Sequence, residues 1–96
     1  MTILNSTFVL DPAISAEALE WIRTYFRHSG AKSPMLARVL AQDQPDCETY
    51  ALHLDFPGAA EAEAWRDGHG AALLRSMGRK WGERALCFQT MLEVIE

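Results

Sequence analysis

Alternation opens the chain. Over residues 2–10, "TILNSTFVL", Leu4, Phe8 and Leu10 fall on one face with Ser6, while Ile3, Asn5, Thr7 and Val9 fall on the other. Successive side chains of an extended backbone point to opposite sides, so this period of two predicts a strand with one face for a core and one mixed face. Asp11 and Pro12 end it and offer a helix cap and a first helical position, with Ser15 as a second candidate cap. The period then lengthens. From Ile14 to His28, apolar residues recur at Ile14, Ala18, Leu19, Ile22, Tyr25 and Phe26, which predicts an amphipathic helix stopped by Gly30.

Two strands are predicted next, over residues 35–41 and 48–56, separated by "QDQPDC", a loop of hairpin length in which Pro45 and Asp46 favour a turn. In the second strand Tyr50, Leu52, Leu54 and Phe56 share one face, and Thr49, Ala51, His53 and Asp55 the other. A second helix is predicted over 59–80. At about 100° per residue, Ala62, Trp65, His69, Leu73 and Met77 form one stripe, which turns His69 toward the sheet. The last strand, 85–95, is assigned Leu86, Phe88, Leu92 and Val94 with Thr90 on its core face. Cys87, Gln89, Met91, Glu93 and Ile95 then point away.

This order of elements predicts an α+β, ferredoxin-like βαββαβ unit: a four-stranded antiparallel sheet with two helices on one face. No repeat or linker interrupts it, so residues 1–96 are expected to form a single domain. In that topology the first and third strands are central. Strand parity assigns Asn5, Thr7, Arg38, His53, Asp55, Gln89 and Glu93 to the face that the helices leave uncovered, together with the apolar Ile3, Val9, Met35, Val39, Met91 and Ile95. That much apolar surface is better explained by burial against a second copy than by a monomer, so a homodimer through this face is expected.

Composition narrows the function classes. The apolar fraction of 49% and charged fraction of 23% are those of a soluble globular protein. A net charge of −4, with no basic cluster denser than Arg75, Arg79, Lys80 and Arg84, argues against nucleic acid, whose recognition requires neutralising several phosphates at once. The first residues, "MTILNSTFVLD", lack the basic segment and cleavage site of a secretory signal, and no apolar run approaches a membrane span, so the expected location is the cytoplasm. Cys47 and Cys87 are too few for a disulfide framework or a zinc site and are expected to be reduced thiols. No metal or cofactor is expected.

The candidate chemistry lies in three places. His69 stands between Gly68 and Gly70 in a helical stretch, where each glycine costs roughly 1 kcal/mol relative to alanine. Either a kink brings the backbone close to the sheet, or the space serves a ligand beside His69. His69 is accordingly either a core histidine satisfied by its neighbours or an acid or base working near neutral pH. It lacks a metal-ligating partner one turn on, since that position is Leu73. His53 and Asp55 lie two apart on one strand and point the same way, and an aspartate near a histidine can orient and polarise the imidazole. The catalytic candidates are thus His69, His53 and Asp55. The ligand-binding candidates are Arg38, able to hold an anion, with Asn5, Thr7, Tyr50 and Gln89.

The strand "ETYALHLDF", the segment His69 to Leu73, the "WG" at Trp81 and Gly82 and the ending "CFQTMLEVIE" resemble a family of short bacterial proteins grouped as a domain of unknown function. The resemblance covers essentially the whole chain and picks out Tyr50, His69, Ala72, Leu73, Gly82, Phe88, Thr90, Leu92, Glu93 and Val94. Ala71 stands where proline is common in the family, and Gly68 and Gly70 depart from its pattern. The resemblance implies kinship with the dimeric α+β barrels, in which two ferredoxin-like sheets pack face to face. Three functions remain open. One is a homodimeric small-molecule-binding or interaction module. Another is a small cofactor-independent enzyme of oxygenase or isomerase type, using His69 or His53 as acid or base in a cavity between sheet and helices. The third is regulatory binding of an amino acid, as in other ferredoxin-like dimers.

Overall fold

The computed structural model describes residues 1–30, 34–40 and 46–96. Strands β1 (Thr2–Leu10), β2 (Met35–Arg38), β3 (Glu48–Phe56) and β4 (Ala85–Glu93) form one antiparallel sheet in the order β2-β3-β1-β4. Helix α1 (Ser15–His28) joins β1 to β2, and a second helical run joins β3 to β4. This is the ferredoxin-like arrangement, with β1 and β3 central and β2 and β4 at the edges.

The first strand follows its period strictly, with Thr2, Leu4, Ser6, Phe8 and Leu10 buried and the residues between them half-buried. Against that face pack Ala18, Ile22 and Phe26 of α1, Leu52 and Leu54 of β3, and Leu73 and Met77 of the second helical run. Asp11 caps the turn before α1 rather than the helix itself: its Oδ1 accepts the Ala13 N–H at 2.8 Å, and the helix starts at Ser15. Gly30, at φ 76°, takes the left-handed position that ends α1. The β2 strand is shorter than its pattern suggests and ends at Arg38. Most of the "QDQPDC" loop, including Pro45, lies outside the described residues.

The second helical run is not one regular helix. An α-helix, α2 (Ala59–Trp65), passes through a single π turn, Arg66–Gly70, into α3 (Ala71–Trp81). A π turn carries one residue more than an α turn, so the faces on its two sides no longer follow a common 100° step. The stripe that placed His69 toward the sheet is broken there: Gly70 is buried and His69 is exposed. Gly70 finds its reason in this turn, whereas a Cβ on Gly68 would meet nothing within 4 Å. A Cβ on Gly70 would stand 2.9 Å from Gln89 Nε2, so the turn rests on the end of the Gln89 side chain, which a larger residue would displace.

The register of β4 is also the reverse of that expected. Cross-strand partners share a face, and Leu4, Ser6 and Phe8 of the core face stand opposite Met91, Gln89 and Cys87. Leu86, Phe88, Thr90 and Leu92 therefore lie on the uncovered face opposite Val9, Thr7, Asn5 and Ile3, and Phe88 is 59% exposed. A shift of one residue in parity turns every side chain of a strand to the other side. The uncovered face loses Met91, Gln89 and Glu93 by this correction and gains Leu86, Phe88 and Leu92.

Candidate functional site

The structure divides the sequence's candidates among four places. Asn5, Thr7, His53 and Asp55 stand on the uncovered face of the two central strands, as their parity predicts. Asn5 and His53 are directly paired, Met35 lies on the other side of His53, and Asn5 Nδ2 donates to Thr7 Oγ1 at 2.9 Å. His53 is half-buried, Asp55 is exposed, and no hydrogen bond or ion pair joins them. Gln89 stands on the opposite face, beneath Gly70, with its Nε2 buried and without a hydrogen-bond partner among the described residues.

His69 lies on the outside of the π turn. Its carbonyl accepts the Tyr25 hydroxyl at 2.7 Å, which ties the turn to α1, and its ring lies 5.6 Å from that of Trp65. With Trp21, Thr24, Tyr25, His28 and Ser29 it borders a shallow groove of about 330 Å³. Neither histidine singled out for acid or base chemistry lines a space between sheet and helices: His69 is on the outer surface, and His53 is across the sheet.

Arg38 and Tyr50 are brought together, on the side of the sheet that faces the helices rather than on the uncovered face. The reason is their pairing: Arg38 of β2 is the direct partner of Tyr50 on β3, and Tyr50 belongs to the core face. The Arg38 guanidinium stands 5.8 Å from the centre of the Tyr50 ring and 3.4 Å from Glu48. Tyr50 donates its hydroxyl to Glu48 Oε1 at 2.6 Å, and Ser15 donates to Glu48 Oε2 at 3.1 Å. The Tyr50 hydrogen bond holds the Glu48 carboxyl below its ordinary range, with Ser15 and Arg38 acting in the same direction. The same bond, with burial, pushes the Tyr50 hydroxyl up. Glu48 is thus a fixed anion that orients Arg38.

Around this pair opens a cleft of about 600 Å³ between α1 and the edge strand β2. Arg23 and Arg27, one turn apart on α1, border it along with Arg38. Sequence reasoning missed the two helix arginines, although Leu19, Arg23 and Arg27 follow one another at a spacing of four and so share a helix face. Among the described residues, no group of three or more His, Cys, Asp or Glu side chains is placed to hold a metal ion, and no helix is long and apolar enough to cross a membrane.

Strand order, helix placement and the surfaces on either side of the sheet define the class as a ferredoxin-like α+β domain. The family follows from comparison with known proteins: the model of a domain of unknown function, DUF4286, matches residues 1–95, and the chain belongs to that family. No relative is found among the curated proteins. Among solved structures, the chain is similar to the apo form of CPII from Thiomonas intermedia K12, a nitrogen regulatory PII-like protein. The identity is 12%, over 98% of this chain and 92% of that one, with a TM-score of 0.56. The structure of CPII bound to ADP, AMP and acetate matches at 12% identity over 99% and 90%, with a TM-score of 0.57. A dimeric ferredoxin-like protein from an uncultured marine organism matches at 14% identity over 99% and 96%, with a TM-score of 0.47. The likeness to CPII is one of fold.

Proposed function

We propose that this chain is a single-domain homodimeric binding module for a small molecule, and that two copies pack their uncovered sheet faces together. One observation carries the assembly. Leu86 at 44%, Phe88 at 59%, Leu92 at 42% and Met35 at 60% exposure all stand on that one face, with Ile3 and Val9 half-buried between the β4 residues and β3. A folded monomer seldom leaves this many large apolar side chains on one face in water, and fully burying each contributes about 1.5–3 kcal/mol. The polar Asn5, Thr7 and His53 occupy the middle of the same face and would lie between the two sheets. Cys47 and Cys87 are both free thiols, which suits the reducing cytoplasm proposed as the site of action.

Light scattering at high micromolar concentration is expected to give twice the chain mass. Phe88→Asp is expected to give a folded monomer with an unchanged far-ultraviolet spectrum, because the side chain it alters is outside the core. A wild-type monomer, or a dimer that tolerates Phe88→Asp, would overturn the assembly.

A further inference from the structure

The cleft between α1 and β2 combines two features that point to one kind of occupant. Its floor is apolar and already buried, made by Ile22, Phe26 and Leu52, with Leu19 and Leu36 half-buried at its walls. Its rim is cationic: Arg23, Arg27 and Arg38 are three of the nine Lys and Arg residues in a chain whose net charge is −4. The rim arginines are only lightly engaged. Arg23 reaches Glu20 at 3.9 Å across exposed surface, and Arg27 makes no ion pair among the described residues. Arg38 is held in place by Glu48 and the Tyr50 ring, borders the cleft and remains more than half exposed. A cavity of about 600 Å³ falls within the ~300–1,000 Å³ of small-molecule sites, and a guanidinium matches the two oxygens of a carboxylate or phosphate.

We propose that this cleft binds a small molecule made of an apolar body and a single anionic head, carboxylate or phosphate, with the body on the Ile22–Phe26–Leu52 floor and the head among Arg23, Arg27 and Arg38. The proposal rests on reading the chain as a small-molecule-binding module and supplies that reading with a site and a ligand class. Neither half of the site suffices. An apolar body alone leaves Arg27 without a counter-charge and Arg23 and Arg38 with only their weak, exposed pairs to Glu20 and Glu48, and an inorganic anion alone leaves the floor in water.

The test titrates the full-length protein with decanoate, decyl phosphate and the uncharged decanol, followed by calorimetry and by backbone amide shifts. Saturable binding of decanoate or decyl phosphate is expected, with decanol at least tenfold weaker and the largest shifts at Leu36, Arg38 and Tyr50; the tighter of the two anions identifies the head. Arg23→Gln with Arg27→Gln is expected to weaken binding at least tenfold, and Leu36→Glu, which puts a negative charge in the wall, to abolish it. Absence of saturable binding by both anions at millimolar concentration would overturn the proposal. So would equal binding of decanol, indifference to the arginine substitutions, or shifts confined to the uncovered sheet face. The dimer mass is measured on the same samples. A dimer that binds neither anion removes the ligand proposal and leaves the assembly, while a monomer that binds removes the assembly and leaves the cleft.

Discussion

A methyl group at Gly70 would meet Gln89 Nε2 at 2.9 Å and Oε1 at 3.1 Å, whereas one at Gly68 meets nothing within 4 Å. Neither glycine has a positive φ, so the difference between them is one of space. Gly68→Ala is expected to stabilise the fold by about 0.5–1 kcal/mol, because alanine loses less backbone freedom on folding. Gly70→Ala is expected to gain less than Gly68→Ala, because the Gln89 amide at the end of its flexible side chain must give way, and Gln89→Ala in the same chain to restore the difference. Urea unfolding of the three variants checks this, and equal effects at the two glycines would mean that the turn does not press on β4.

Cys87 is a second residue whose behaviour follows from its side of the strand. It faces the core opposite Phe8, and burial pushes its thiol up to about 12. Since the thiolate is the reacting form, only about one Cys87 in ten thousand is ionised at pH 8. In a Cys47→Ser chain, Ellman's reagent is expected to leave Cys87 untouched in buffer and to label it fully in denaturant. Rapid labelling in buffer would place Cys87 on the open face and restore the opposite register.

At the scale of elements, the sequence was most legible where one pattern had no competitor. In β3 the large apolar residues occupy one parity only, in β1 the other parity mixes Ile3 and Val9 with Asn5 and Thr7, and α1 keeps a single apolar stripe, so boundaries and faces are readable from spacing alone. In β4 both parities are apolar. The larger residues, Leu86, Phe88 and Leu92, resemble a core set, but the covered side takes Ala85, Cys87, Gln89 and Met91 instead. The backbone fixes this phase: Asp11 N–H donates to the Arg84 carbonyl at 2.9 Å and Ala85 pairs with Leu10, setting the parity of every residue that follows. The π turn was illegible for a related reason. Periodicity assumes a constant step, and "RDGHG" contains no proline or other residue that dictates an inserted position. Its glycines marked the place without revealing the geometry. Arg38 is out of parity with Met35 and Val39, so the three cannot share a face, and its pairing with Tyr50 puts Arg38 on the side of the helices.

At the scale of the molecule, these corrections make one account of the sheet. It is apolar on both sides because both sides are to be covered, one by the chain's own helices and the other, we propose, by a second copy. The ligand cleft and the assembly surface then lie on opposite sides of the sheet, so binding at the first need not disturb the second. The most direct measurement is an isotope-filtered NOE experiment on a mixture of labelled and unlabelled chains, which records only contacts between different copies. The account predicts intermolecular NOEs from the Phe88 ring and the Leu86 and Leu92 methyls to residues on the uncovered face of the other copy, among them Ile3, Val9 and Met35. Intermolecular contacts confined to α1 or α3, with Phe88 silent, would contradict it.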